Sequence, residues 1–217
     1  MKSQQSGFTL VEIAIVLVII GLLLGGILKG QELINSAKVK NLANDFRVIP
    51  TYIYAYQDKF KALPGDDPAG QTHLPGGAAS DNGNGNSVID GAWNSATNTD
   101  ETYMFWRHVR LANLAAGSTV LGATDYQQRN AVGGIIGVSS LATGQPQVSG
   151  MSGSYQVCSK GILGKFAKQL DIQMDDGNTA TGAMRTADDA AALGTAATAQ
   201  SATYPDDSTT YTVCMAF

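Results

Sequence analysis

Charge is what this chain has least of. Only 15% of its 217 residues are Asp, Glu, Lys or Arg, against roughly 25% in ordinary soluble domains, which excludes a uniformly solvated globule and a charge-laced coiled-coil rod. Cysteine is nearly absent as well, and two residues cannot staple a chain of this length into a disulfide-dense scaffold. The two histidines, His73 and His108, stand apart, and no Cys-x-x-Cys occurs, so the ligand clusters that zinc requires are missing. Positive charge does not dominate either. Lys and Arg number 14 against 18 Asp and Glu, a net charge of −4, so a basic nucleic-acid-coating surface is excluded and no specific nucleic-acid partner is expected. There is no G-x-S-x-G nucleophile turn and no phosphate-cradling loop, because Gly133-Gly134-Ile135-Ile136-Gly137 lies in a strand-like run rather than before a helix.

The charge that is present is unevenly placed. Residues 1–28 hold only Lys2 and Glu12, residues 29–61 hold six basic and three acidic groups, and residues 62–217 hold seven basic and fourteen acidic groups. Phe8 to Leu28 is almost wholly apolar; as a helix it is about 31 Å long, enough to cross a hydrocarbon core. The next four residues, Lys29-Gly30-Gln31-Glu32, contain no small-x-small cleavage site, so the run does not read as a secretory signal peptide. A plain anchor leaves Glu12 unexplained, since a carboxylate at the centre of a lipid-exposed helix costs about 2.5–3.5 kcal/mol on insertion scales.

Gly7-Phe8-Thr9-Leu10 with Glu12, ahead of that apolar run, resembles the G-F-T-L-x-E leader of type IV prepilins and type II secretion pseudopilins. The resemblance implies that a prepilin peptidase cuts after Gly7 and N-methylates Phe8, and that the helix is kept. It further implies an inner-membrane precursor with its head in the periplasm, an inner-membrane assembly platform as partner, and a helical homopolymer of the chain as product. In such a bundle Glu12 of one subunit can neutralise the new Phe8 amine of its neighbour, and the cost of burying either charge alone selects the register. Gly21-x-x-x-Gly25 and Gly26-x-x-x-Gly30 allow helix backbones to approach closely. Many pilus-building members carry Pro where this chain has Lys29, a departure toward the pseudopilin or minor-pilin side of the family. A membrane-anchored periplasmic enzyme or binding protein would keep the helix but not need Gly7 before Phe8.

Past Lys29 the pattern becomes amphipathic. Leu42, Phe46, Ile49, Ile53, Tyr56 and Phe60 fall on one helical stripe, and Lys38, Lys40, Asp45, Arg47, Asp58 and Lys59 fall off it. Pro50 predicts a kink near residues 46–50. Two prolines and a turn at residues 63–68 end the helix. The expected organisation is a leader over 1–7, a long helix over 8–61 (membrane and assembly half 8–28, amphipathic half 29–61) and a head over 62–217. The expected fold class is α+β, with the long helix packed on a small antiparallel β-sheet. Strands are expected over 132–138, 154–158 and 209–215, and helices over 101–115, capped by Asp100, and 164–173. Residues 187–203 read as an exposed low-complexity loop.

Cys158 and Cys214 each fall in an expected strand, with no other cysteine to compete. In the oxidising periplasm that the resemblance implies, their pairing closes a loop of 57 residues and is worth about 4 kcal/mol in the chain-entropy account. The stretch Asp81-Asn82-Gly83-Asn84-Gly85-Asn86-Ser87-Val88-Ile89-Asp90 matches part of the calcium-loop pattern, with alternate oxygens from Asn82, Asn84, Asn86 and Asp90 and the Val88 carbonyl. Ser87 and Trp93 depart from it, so a closing carboxylate would come from Glu101, Asp66 or Asp67. The competing reading is an Asn-Gly turn on a hairpin. Asp171, Asp175, Asp176 and Gly177 read as a solvated helix end.

Overall fold

The computed structural model describes Gly7 and residues 9–142, 145, 147–189 and 205–217. Phe8 and most of the low-complexity stretch lie outside the described residues. The elements run α1 (Leu10–Phe60), α2 (Gly70–His73), a 3-10 turn (Ala79–Asp81), α3 (Glu101–Leu111), β1 (Ile136–Ser140), β2 (Tyr155–Leu163), α4 (Gly164–Met174), β3 (Met184–Asp188) and β4 (Thr210–Ala216). The four strands form one sheet in the order β1-β2-β4-β3, with every neighbouring pair antiparallel. The fold is α+β. The chain divides into two compact units, residues 1–38 and 39–217.

The first unit is helix from Leu10 onward, and its most apolar 18 residues average a hydropathy of 2.8 with none buried. Leu10, Val11, Ile13, Leu17, Ile20, Leu24 and Leu28 are all exposed. With Val18, Ile15, Ile19 and Leu23, which are exposed as well, they cover every side of the helix, as membrane or partner helices would require.

In the second unit the amphipathic stripe does what its spacing predicts. Val39, Leu42, Ala43, Phe46, Ile49, Ile53 and Tyr56 are buried, and all but Tyr56 join Phe105, Val109, Ile136, Val138, Val157, Phe166, Leu170 and Val213 in one core. The helix continues through Pro50, although the proline has no N–H to donate to the Phe46 carbonyl, so it does not end the element. Asp45, at the edge of the stripe, lines a cleft of about 190 Å³ with Tyr52, Trp106 and Gln128. Burial pushes its carboxyl up to about 6. A carboxyl raised by folding is held more tightly as the acid, so stability is highest below about pH 4, falls as pH rises to about 6, and stays lower above it. Asp45→Asn removes that dependence. After allowance for partial exposure it is expected to stabilise the detergent-solubilised chain by about 1 kcal/mol at pH 7.5 and by nothing near pH 4. Urea titrations across that range check this, and a gap that does not vary with pH would assign the effect to packing instead.

The strands depart from their expected bounds for local reasons. β1 starts at Ile136 rather than Val132, because Gly133 takes φ +90° and turns the chain. β2 runs on to Leu163 because a register shift between Ser159 and Ile162, with Gly161 at φ +75°, absorbs the break in alternation. β3 lies where the sequence pattern predicts no strand. It is an edge strand, Met-Arg-Thr-Ala-Asp, with no clear period of its own, paired in register with β4 from Met184–Met215 to Asp188–Tyr211. α3 stops at Leu111 rather than Ala115, two residues before Asn113 takes φ +63°. Asp100 is the residue before α3 but makes no side-chain cap, since its carboxylate accepts the Ser95 hydroxyl instead.

Candidate functional site

At the start of α1 the Thr9 hydroxyl accepts the Glu12 N–H at 3.3 Å, while Glu12 Oε2 accepts both the Thr9 N–H at 2.9 Å and the Thr9 hydroxyl at 2.7 Å. This is a capping box, which satisfies two N–H groups that a helix start leaves orphaned, and Thr-x-x-Glu is its sequence signature. Sequence reasoning found Glu12 by its charge and missed this local role. A carboxylate has about four acceptor sites, so the cap leaves room for a further donor. Gly7 is exposed beside it.

The loop over residues 81–91 is organised by carboxylates from elsewhere. Asp66, 2% exposed, accepts the Gly85 and Asn86 N–H groups on Oδ1 at 2.5 and 3.1 Å and the Ser87 N–H on Oδ2 at 2.7 Å. Gly85 at φ +73° and Ser87 at φ +65° turn these amides to one side, a backbone anion nest. Gly83 is pressed against the Asp66 backbone with no room for a Cβ. Glu101, also buried, accepts the Asn84 N–H at 2.9 Å and the Asp90 N–H at 3.0 Å. Burial, with Asp66 and Asp90 adding repulsion, raises its carboxyl above the usual range.

Of the residues expected to ligate calcium, Asn84 and Asn86 donate their amide N–H groups to Asp90 Oδ2, and their own oxygens accept the Asn86 and Val88 N–H groups. Asn82 accepts from Gln71 N–H. The structure therefore brings Asn84, Asn86, Asp90 and Glu101 together but joins them through N–H donors, with Asn82 turned to α2. No strand flanks the loop among the described residues, so it is not the turn of a hairpin.

Residues 2–28 match the family model described as the prokaryotic N-terminal methylation motif. The chain carries a type IV prepilin motif. No curated protein and no solved structure matches the chain. The match lies wholly within the leader and the apolar part of α1.

In the head of this prepilin-motif chain, Cys158 and Cys214 form the disulfide. They face each other across β2 and β4, both fully buried. Neither histidine stands alone. His73 Nδ1 meets Asp67 Oδ2 at 2.7 Å, and the same oxygen accepts the Tyr56 hydroxyl at 2.8 Å. His108 Nδ1 accepts the Gly65 N–H at 2.9 Å, and burial lowers its pKa to about 4, so it is neutral. The rings of His73 and His108 stack on Phe60 and Tyr56. Both histidines thereby fasten the 63–74 segment to the end of α1. Asp171 is not solvated as its sequence context suggested: it is 1% exposed, and burial pushes its carboxyl up to about 6.

Proposed function

We propose that the chain is the structural subunit of a type IV pilus-like filament, cleaved after Gly7, methylated on Phe8 and polymerised through residues 8–28. The observation that carries this reading is the prepilin motif set directly on a helix whose apolar side chains are exposed all round. A helix of that kind is stable only in lipid or among other apolar helices, and the area removed from water, at about 25 cal/mol per Å², supplies the cohesion of the assembly. The precursor is held in the inner membrane with the disulfide-bonded head in the periplasm. A prepilin peptidase acts on it there, and an assembly platform passes it to the growing homopolymer. Glu12, already fixed by Thr9, is the acceptor for the Phe8 amine of a neighbouring copy. The pseudopilin or minor-pilin reading is favoured by one residue, Lys29, which pairs with Glu32 at 2.7 Å where many pilus-building members carry Pro. In either case the role is structural rather than enzymatic.

Intact mass spectrometry of the protein from its native host tests the proposal. The expected chain begins at Phe8 and is one methyl group heavier than the unmodified sequence; an intact Met1 start overturns it. Electron microscopy of sheared surface filaments then separates a pilus from a short secretion pseudopilus.

A further inference from the structure

We propose that the cleft at Asp45 is a socket for Arg47 of a neighbouring copy of the chain, a side contact that repeats from subunit to subunit. The inference rests on the reading of the chain as a subunit of a homopolymer, and it names one of that polymer's contacts.

The socket has the chemistry of an arginine site. Asn44, Asp45, Tyr52, Trp106 and Gln128 are among the residues that line a space of about 190 Å³, and they supply one carboxylate, two amides and two aromatic rings. Among the described residues Asp45 makes no hydrogen bond and no ion pair. Arg110, whose guanidinium packs on Trp106, is turned instead to the Ser118 and Tyr126 carbonyls and to Gln128 Oε1. A half-buried carboxylate without a donor has lost water and gained nothing in return, and burial is what raises this one above its usual range. A guanidinium answers both features of the cleft, because it bonds a carboxylate through two parallel N–H groups and its plane stacks on aromatic faces.

The matching cation is on the same helix but on its far side. Arg47 is two residues from Asp45, about 200° round the helix, so it faces away from the cleft of its own chain. It falls with Lys40, Thr51 and Asp58 on one exposed face of α1. Other cations of the helix end are engaged: Lys61 pairs with Asp58, and Lys59 lies over the Phe60 ring. Lys40 and Arg47 make no hydrogen bond or ion pair among the described residues. Charge complementarity on a longer scale points the same way. Residues 29–61 hold six basic and three acidic groups, and residues 62–217 hold seven and fourteen, so the helix face of one copy is attracted to the head of the next. Because the ridge and the cleft are different surfaces, each copy gives its Arg47 to one neighbour and receives another's at Asp45. Such a heterologous contact, when it does not close into a ring, generates an open helical filament.

Recovery of polymer from the native host, with cross-linking of what is recovered, tests the contact. Arg47→Glu is expected to lower recovery by about tenfold or more, and Lys40→Glu, on the same face but two turns away, by about threefold at most. Asp45→Asn is expected to lower recovery even though it stabilises the isolated chain, a pair of opposite signs that a purely structural role does not produce. Thr51→Cys with Ala116→Cys keeps both charges and sets one thiol on the Arg47 face and the other at the exposed rim of the cleft, while the two native cysteines are bonded to each other. A short bis-maleimide is expected to turn this polymer into a ladder of covalent oligomers, and to give none with Thr51→Cys and Gln169→Cys, since Gln169 lies on α4 outside the cleft. Wild-type recovery of Arg47→Glu, unchanged or raised recovery of Asp45→Asn, a greater loss from Lys40→Glu, or polymer of the Thr51–Ala116 variant without a ladder overturns the contact and leaves the proposed function standing. If the unaltered chain forms no polymer in its native host, the proposed function fails and the contact falls with it.

Discussion

Reduction of the Cys158–Cys214 bond in the detergent-solubilised chain is expected to lower its melting temperature by about 10 °C. The two residues are 56 apart in sequence, and the bond removes loop-closure entropy from the unfolded chain worth about 4 kcal/mol. For a unit of this size, each kcal/mol moves the melting temperature by about 2–4 °C. The native state should change little on reduction. Both sulfurs are buried with Trp93, Val148 and Ala187, and β2 and β4 are joined by their own ladder whether or not the bond is present. Scanning calorimetry with and without reductant provides the comparison, and Cys158→Ala with Cys214→Ala should match the reduced protein within about 1 kcal/mol. Equal melting temperatures for the oxidised and reduced forms would mean that the bond constrains nothing.

Asp66→Ala is expected to cost about 3–5 kcal/mol, a similar amount, through a different mechanism. Three backbone N–H groups, of Gly85, Asn86 and Ser87, lose their acceptor at once, and amides left without a partner carry their full desolvation cost. The loop cannot simply turn them to water, because Gly83 is wedged against the Asp66 backbone and Glu101 holds the amides of Asn84 and Asp90. Asp66→Asn keeps one oxygen facing the nest but sets an NH₂ against amide donors, so it should recover only part of the loss. Denaturant unfolding of the three chains gives the order wild type, Asn, Ala. If the Ala variant unfolds at the wild-type midpoint, the nest is not holding the loop.

Glu12 and Asp66 mark the limit of what is legible in the sequence. Glu12 is conspicuous as the one acid in an apolar run, and local sequence suffices to place it, including the Thr9 partner that the Thr-x-x-Glu spacing announces. Asp66 sits in an ordinary Pro-Gly-Asp-Asp-Pro turn, and its partners lie 19 to 21 residues downstream. The sequence reading offers Asp66 to that loop only as one of three candidate carboxylates, and nothing in either stretch fixes which of them meets its amides. The Asn-Gly loop is ambiguous for the same reason: alternating Asn and Gly is compatible with a cation site and with a backbone nest, and the structure shows that Asp66 and Glu101 satisfy its amides. Edge strand β3 escapes sequence reading because its pairing comes from β4, not from any alternation of its own.

Taken alone, the sequence determined the parts governed by local periodicity. These are the apolar helix, the prepilin motif, the stripe from Leu42 to Tyr56 that buries α1, and the choice of Cys158 and Cys214 as the only available disulfide partners. Such features depend on residues within a few helical turns, or on there being no alternative. The tertiary structure alone decided the sheet order, the nest at Asp66 and the burial of His108 and Asp171. Each of those depends on which groups meet across long separations, and burial changes the chemistry of a side chain only once its neighbours have excluded water.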